Sequence, residues 1–330
     1  MSAGLNLAQR GVEVTLIERD AILGGRARDL CCKAIKTCQL CGGCLYSECL
    51  DAVKTANLDI RMQTTVTRVG RENGGFSVLL AGGDVPGPLY ADALILATGY
   101  DPVDAHTKGP YGYGILPAVI TGEEMEKRLH RDGQGAFDTV TGKVAFIQCV
   151  GSRDEHVGRG YCSQVCCRYA LRLARLLKAR RPEVEITVFK MDIQTHGRDF
   201  TATWNAALQD GIRVVAGLPA VIRRSAQDPA KATFLYDDIL AGKTTQEEFD
   251  LVVLSIGMQP RRDAAQIAEM FGLNLGPYGF FSTLDDEAST IAPGVFVAGS
   301  CQAPRSIAES IAHARQAAEA CYAYLQERGS

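Results

Sequence analysis

Four cysteines, Cys149, Cys162, Cys166 and Cys167, carry the strongest chemical signal in this 330-residue sequence. Twelve residues separate the first two, three separate the next two, and the last two are adjacent. Four thiolates matched to four irons is the common ligation of a [4Fe–4S] cluster. Adjacent cysteines cannot both reach one small tetrahedral ion without strain, but they can reach two corners of a larger cubane. That disfavours zinc, whose usual pattern is two C-x2–4-C pairs. The competing reading is inert buried cysteine, among the most buried of residue types. The preceding run, Val144-Ala-Phe-Ile-Gln-Cys149, has the composition of a buried strand, and the segment from Cys166 to Ala179 reads as a helix. A strand–loop–helix unit ordinarily binds pyrophosphate through a glycine-rich turn at the helix N-terminus. Here the loop carries thiols, which points to an electron relay in place of a nicotinamide site.

A second group, Cys31, Cys32, Cys38, Cys41, Cys44 and Cys49, is less decisive. Cys38-x2-Cys41-x2-Cys44 matches three ligands of a ferredoxin site. Cys49, however, comes one residue late and is not followed by proline. A second cluster, a Cys38/Cys41 redox dithiol and a packed cysteine-rich loop all remain open there. The five histidines have no metal-ligand spacing. The run of arginines from Arg159 to Arg181 reads mainly as a solvated helix face, with Arg168 and Arg172 one helical turn apart beside the ligand pair.

Several elements must position these groups. A helix over Ser2–Gln9, a closing Gly11 and a strand over Val12–Glu18 form the second half of a dinucleotide-binding βαβ unit. Glu18 then stands where it would accept hydrogen bonds from ribose hydroxyls. The glycines of Leu23-Gly24-Gly25-Arg26 allow close approach to a phosphate. Thr98-Gly99 and Gly299-Ser300 each end an apolar strand, and the latter precedes a helix from about Ser306 to Leu325. Together these four strand ends point to FAD. No strand and no G-x-G-x-x-G precede Ser2, so the phosphate loop is expected upstream of Met1. Two short strands near Ile60–Thr67 and Phe76–Leu80 flank a glycine turn. A second α/β unit spans Val144 to about Gly257.

The composition, 46% hydrophobic and 22% charged with a net charge of −3, fits a globular chain and carries no nucleic-acid footprint. Twelve cysteines in a chain of this length argue for reduced thiols available to metal, hence a cytoplasmic setting. No run approaches the roughly 18 apolar residues of a membrane span.

With Glu18, Gly24-Gly25, Thr98-Gly99 and Gly299-Ser300 in this order, the chain resembles the thioredoxin-reductase-like flavoproteins. More narrowly, it resembles the A-type subunits of heterodisulfide reductase, in the short form found in sulfur-oxidising complexes. The segments carrying that likeness are Thr98–Pro102, Lys108–Gly114, Gln148–Glu155, Tyr161–Ala170 and Phe189–Gly197. The resemblance implies two interleaved Rossmann-like α/β domains, with residues 1–120 and 258–330 binding FAD and residues 121–257 carrying a cluster. It implies cofactor contacts from Glu18, Gly24, Gly25, Arg26, Val66, Thr98, Gly99, Gly299, Ser300 and Ile307. It further implies a [4Fe–4S] cluster on Cys149, Cys162, Cys166 and Cys167, a homodimer, and iron–sulfur or disulfide-handling partner subunits in thiol or sulfur metabolism. Ser300 stands where many related reductases have an aspartate on the ribityl chain. The alternative is a soluble pyridine-nucleotide–disulfide oxidoreductase using the Cys38/Cys41 dithiol.

Overall fold

A computed structural model describes residues 1–83, 87–132, 140–194, 198–284 and 287–329; the end of the Phe189–Gly197 segment, residues 195–197, lies outside them. The chain divides into two compact units. The first comprises Met1–Arg28, Gly42–Asp101 and Gln259–Ser330, and the second Asp29–Cys41 and Pro102–Met258. Residues 29–41 and 102–120, which the sequence reading puts in the first domain, fold with the second unit.

In the second unit a five-stranded parallel sheet runs in the order Arg213–Ala216, Glu185–Lys190, Lys143–Val150, Leu251–Ile256, Val119–Thr121. Alternate residues of its central strand enter opposite cores. Ala145 and Ile147 join one apolar cluster with Phe189, Phe249 and Leu254. Val144 and Phe146 join another with Leu173, Leu177 and Ile186. A strand buried on both faces has to be apolar at every position, and the sequence 144–150 nearly is. The helix Cys166–Arg180 covers one face through Ala170, Leu173, Leu176 and Leu177. A three-stranded antiparallel sheet, Ile222–Arg224, Ala232–Asp238 and Lys243–Phe249, supplies the opposite core with Phe234 and Phe249, stacked at 4.7 Å between ring centroids.

Residues 29–41 form a strap on this unit, anchored by charge as well as packing. Lys33 and Glu126 make an ion pair with side chains only 2% and 7% exposed. Glu126 also accepts the Cys31 N–H at 3.1 Å. The buried Arg175 guanidinium binds Gln39 of the strap and Asp210 Oδ2, the latter at 2.7 Å. The reading of the Arg159–Arg181 run as a solvated face is therefore corrected at Arg175, which is buried.

The first unit holds two separate parallel strand pairs, Thr15–Ile17 with Asp59–Arg61 and Val295–Val297 with Leu94–Leu96. It adds an antiparallel meander of Thr64–Glu72, Gly75–Gly82 and Gly87–Ala91. The first hairpin turns on Asn73-Gly74, whose φ values of 50° and 81° fit the twist of a two-residue turn. The helix Ile307–Gly329 starts at a capping box. The Ser306 N–H donates to Glu309 Oε2 at 2.8 Å, and the Glu309 N–H donates to Ser306 Oγ at 3.3 Å. Where a cysteine-rich loop was one expectation, Gly43–Thr55 is a helix carrying Cys44 and Cys49. Among the described residues no helix is long and apolar enough to cross a membrane.

Candidate functional site

The strand order of the parallel sheet reverses beside Lys143–Val150, the position where open α/β sheets bind their ligands outside the carboxyl ends of the strands. Cys149 lies at that end, and a β-bulge re-aims it. Leu254 pairs with Ile147 but Ile256 pairs with Val150, so Gln148 and Cys149 are crowded opposite Ser255. Cys149 accordingly adopts φ 58°, the left-handed region that side chains other than glycine rarely enter. Arg153 and Gln164, at φ 55° and 59°, share this conformation within the same loop. Such a concentration of backbone strain is characteristic of functional loops held in place by their surroundings.

The surroundings are visible. The Arg153 N–H donates to Tyr161 O, and Asp154 and Arg159 exchange backbone bonds of 2.9 and 3.0 Å. Lys108 Nζ binds Asp154 Oδ2 at 2.6 Å, Arg153 pairs with Asp192, and Tyr161 Oη donates to Met258 O at 2.8 Å. Ser163 Oγ accepts the Met258 N–H at 2.8 Å. That approach depends on Gly257, where a Cβ would stand 2.3 Å from Ser163 Oγ.

The loop and the start of the helix bring the expected thiols together. Cys166 lies between Cys149 and Cys167 and hydrogen-bonds with both. These contacts pull the Cys149 thiol below its usual value and bring Cys167 to about 7, against burial, with Arg153 helping at both. Cys166, bonded to both neighbours and 1% exposed, is pushed well up. Cys162 is partly exposed and raised by burial; its Sγ accepts the Gln164 N–H at 3.3 Å.

The chemistry of this donor set fits a thiolate-ligated cluster. Around Cys149, the buried polar atoms of Gln148 (both), Ser152 Oγ and Ser255 Oγ have no protein partner. Buried polar groups without partners are rare and call for a ligand or water. Among the described residues no group of three or more Cys, His, Asp or Glu side chains is placed to hold a metal ion.

In the first unit, Thr98-Gly99 and Gly299-Ser300 leave the carboxyl ends of two hydrogen-bonded neighbours, with Leu96 in register with Val297. Thr98 Oγ1 is buried with no protein partner, an unsatisfied hydroxyl at the strand end. Glu18 follows the strand Thr15–Ile17, shorter than the expected Val12–Glu18, and its Oε1 accepts the Asp20 N–H at 3.0 Å. Gly24 has φ 109°, and a Cβ there would lie 2.1 Å from the Tyr46 ring. Gly25 opens a short 3-10 turn containing Arg26. Arg26 links the two groups of strand ends, with Nε 3.4 Å from Tyr100 O and an ion pair at 3.8 Å to Asp101. Val66 packs with Leu96 and Val297 in the apolar cluster. Ile307 begins the long helix and lies under Gly42, whose Cβ would be 3.2 Å from its own. Gly299-Ser300 does not run directly into that helix, since a 3-10 turn, Gly299–Cys301, intervenes. The unsatisfied hydroxyl and the glycine turns suit a nucleotide cofactor.

Three residues escaped the sequence reading. Tyr46 donates to Leu23 O at 3.1 Å and braces the glycine turn. Cys301 is buried behind Thr98-Gly99, its thiol 3.4 Å from Leu96 O. His313 holds the Gly299 turn. None has a motif; His313 lies fourteen residues from its partner.

The family model described as pyridine nucleotide-disulphide oxidoreductase matches residues 1–320. An A-type iron–sulfur subunit of CoB–CoM heterodisulfide reductase from Methanopyrus kandleri is 38% identical over 239 residues, covering 68% of this chain and 36% of that protein. Its counterpart in Methanocaldococcus jannaschii is 38% identical over 245 residues, 70% of this chain and 37% of that one. The chain thus spans little more than a third of the length of these relatives, and the resemblance to the A-type subunits is borne out. Lactococcus lactis thioredoxin reductase superposes with a TM-score of 0.65 at 17% identity, covering 99% of this chain and 95% of that one. T. acidophilum thioredoxin reductase gives 0.61 at 16%, covering 98% and 93%. The fold is the expected thioredoxin-reductase-like α/β fold.

Proposed function

This chain belongs to the pyridine nucleotide-disulphide oxidoreductase family, and on that premise we propose that it is an FAD and [4Fe–4S] electron-transfer subunit of a heterodisulfide-reductase-like complex. The observation that carries the reading is the chain of thiols Cys149–Cys166–Cys167, with Cys162 on the same loop, at the switch point of the second sheet. In a pyridine-nucleotide reductase that turn needs consecutive glycines for the backbone to approach pyrophosphate. Here it reads Cys149-Val-Gly-Ser-Arg153.

FAD, when bound, would supply the exchange between two-electron and one-electron chemistry, and a cluster would supply a one-electron station. Glu18, Gly24, Gly25, Arg26, Val66, Thr98, Gly99, Gly299, Ser300 and Ile307 are the residues assigned to the nucleotide. Thr98 Oγ1 offers an unsatisfied hydroxyl, and the backbone turns at Gly24 and Gly299 admit close approach. Cys149, Cys162, Cys166 and Cys167 are assigned as the cluster ligands. Arg153, paired with Asp192 and adjoining Cys149, favours thiolate over thiol. The bulge and the Ser163–Met258 bond keep the ligand loop from relaxing.

The proposal extends to assembly. The curated relatives are named as subunits of heterodisulfide reductases, which supports partner subunits; the proposal adds that those partners handle iron–sulfur centres or disulfides, and that the chain is a homodimer in the cytoplasm. No disulfide joins any of the twelve cysteines.

The test is an anaerobic titration of the purified chain, followed in the visible range. The proposal expects flavin bands over a broad iron–sulfur absorption, both bleached by a strong reductant. It also expects no bleaching by NADH or NADPH at an enzymatic rate. Rapid bleaching by either nucleotide would favour the dithiol reductase reading instead.

A further inference from the structure

We propose that Arg305, together with the Thr98 hydroxyl, is what meets negative charge on the ring of the bound flavin, at its electron-rich N1–C2=O edge. This rests on the FAD reading above and on nothing in the thiol loop.

Two donors are stranded in the first unit. Among its described residues, the buried side-chain donors without a partner are Arg305 Nε and Thr98 Oγ1. An unmatched buried donor is costly, and more so on a charged group. Both border the same turn. The Cys301 thiol lies against the backbone of Thr98-Gly99, and the next residue, Gln302, accepts from Arg305 Nη2 at 2.5 Å. The Arg305 charge also reaches His313, adding to the burial that lowers that imidazole's pKa. His313 in turn accepts the Gly299 N–H.

Other sources of positive field at this turn are already engaged. The Gly299 N–H is taken by His313. The helix Ile307–Gly329 carries Glu309 in its first turn, where the carboxylate accepts the Ser306 N–H and offsets the helix's own positive end. Ser300 is neutral. Arg305 therefore brings a full charge to a place where the backbone has little left to give.

The free valence of Arg305 selects the part of the cofactor it meets. FAD carries negative charge on its pyrophosphate, and on its ring once an electron pair has entered. An arginine that holds phosphate normally does so through two parallel N–H groups. Arg305 Nη2 is occupied by Gln302 and by Glu287 Oε2, the latter at 3.3 Å, so Nε offers a single donor. One N–H and one hydroxyl suit adjacent heteroatoms along a ring edge, whereas the glycine turn at Gly24-Gly25 suits phosphate. A fixed cation of this kind tunes the ring's electronics. It favours every state in which the N1–C2=O edge is negative.

The experiment titrates the FAD-loaded chain with sulfite. Sulfite gives its sulfur lone pair to N5 of the oxidised ring. An N–S bond forms, the ring's N5=C4a electron pair moves to the N1–C2=O edge, and no further oxidant or reductant is needed. Bleaching of the flavin band reads the dissociation constant. Arg305→Gln should weaken sulfite binding about tenfold or more, the effect of one hydrogen bond to a charged group, and should lower the flavin midpoint potential. Arg305→Lys, which keeps the charge, should recover part of both. Thr98→Val, which leaves every charge in place, should weaken sulfite binding to a smaller extent. FAD affinity and the unfolding of flavin-free protein are measured alongside. Sulfite binding and potential unchanged in Arg305→Gln would overturn the proposal. Looser FAD without those changes would mean a pyrophosphate contact, and easier unfolding without flavin would mean a brace of the turn. An unmodified chain that binds no flavin would overturn the proposed function, and this inference with it.

Discussion

His313 Nδ1 accepts the N–H of Gly299 at 2.9 Å, while its Nε2 lies 2.7 Å from Glu287 O. Those two bonds assign one tautomer, neutral with the proton on Nε2. The imidazole thereby fixes the turn on which the nucleotide end of the first unit depends. Its pKa is held below the ordinary 6.5, chiefly by burial. The unfolded chain takes up the proton first, so this contribution to stability is present above pH 6.5. It is lost as pH falls through the lower value of the folded state. Protonating Nδ1 also sets two donors against each other at Gly299. FAD release and unfolding should both ease below about pH 6, and His313→Ala should flatten that dependence. Because it strands a buried N–H, the substitution should cost about 1–3 kcal/mol, read from a urea midpoint.

The strap depends on a buried ion pair. Glu126→Gln leaves Lys33 charged and unpaired at 2% exposure, so a loss of about 3–5 kcal/mol is expected. Cys31, released from Glu126, should then react faster with a thiol reagent. Replacing both partners, Lys33→Met with Glu126→Leu, should recover most of the stability, because no lone charge remains. Equal alkylation rates in Glu126→Gln and the unmodified chain would count against the anchoring role.

Gly257 sets the closeness of the ligand loop. Gly257→Ala drives a Cβ against Ser163 Oγ and within 2.9 Å of Ser152 Oγ. Overpacking of this kind costs about 1–3 kcal/mol, and the displaced loop should hold less iron. The double change with Ser163→Ala should restore part of the iron, since the closest clash is gone. Unchanged iron in the single variant would mean that the loop tolerates movement.

The architecture was largely legible because its signals are local and repeated. Val144–Cys149 is apolar at nearly every position, as a strand buried on both faces must be. The helix from Cys166 and the helix from about Ser306 follow from spacing. What stayed hidden depends on distant partners. Nothing near Gln148 announces a bulge, which arises from how Ile256 pairs with Val150. The helix Gly43–Thr55 is masked by its glycine and cysteines, and its burial of Val53 is a tertiary fact. Residues 29–41 fold with the second unit because Lys33 meets Glu126, ninety-three positions away. For the candidate site, spacing singles out the four cysteines proposed as ligands, whereas the supports at Gly257, Ser163, Arg153 and His313 carry no sequence signal.

Iron and FAD content measured together in Cys166→Ser/Cys167→Ser tests the central claim most directly. Serine keeps the size of cysteine, but its hydroxyl stays protonated at neutral pH and does not replace a thiolate ligand. The account predicts that about four irons per chain are lost, with FAD content and thermal unfolding close to those of the unmodified protein. Iron content equal to that of the unmodified chain would contradict it, and the thiols at the switch point would then be packing residues.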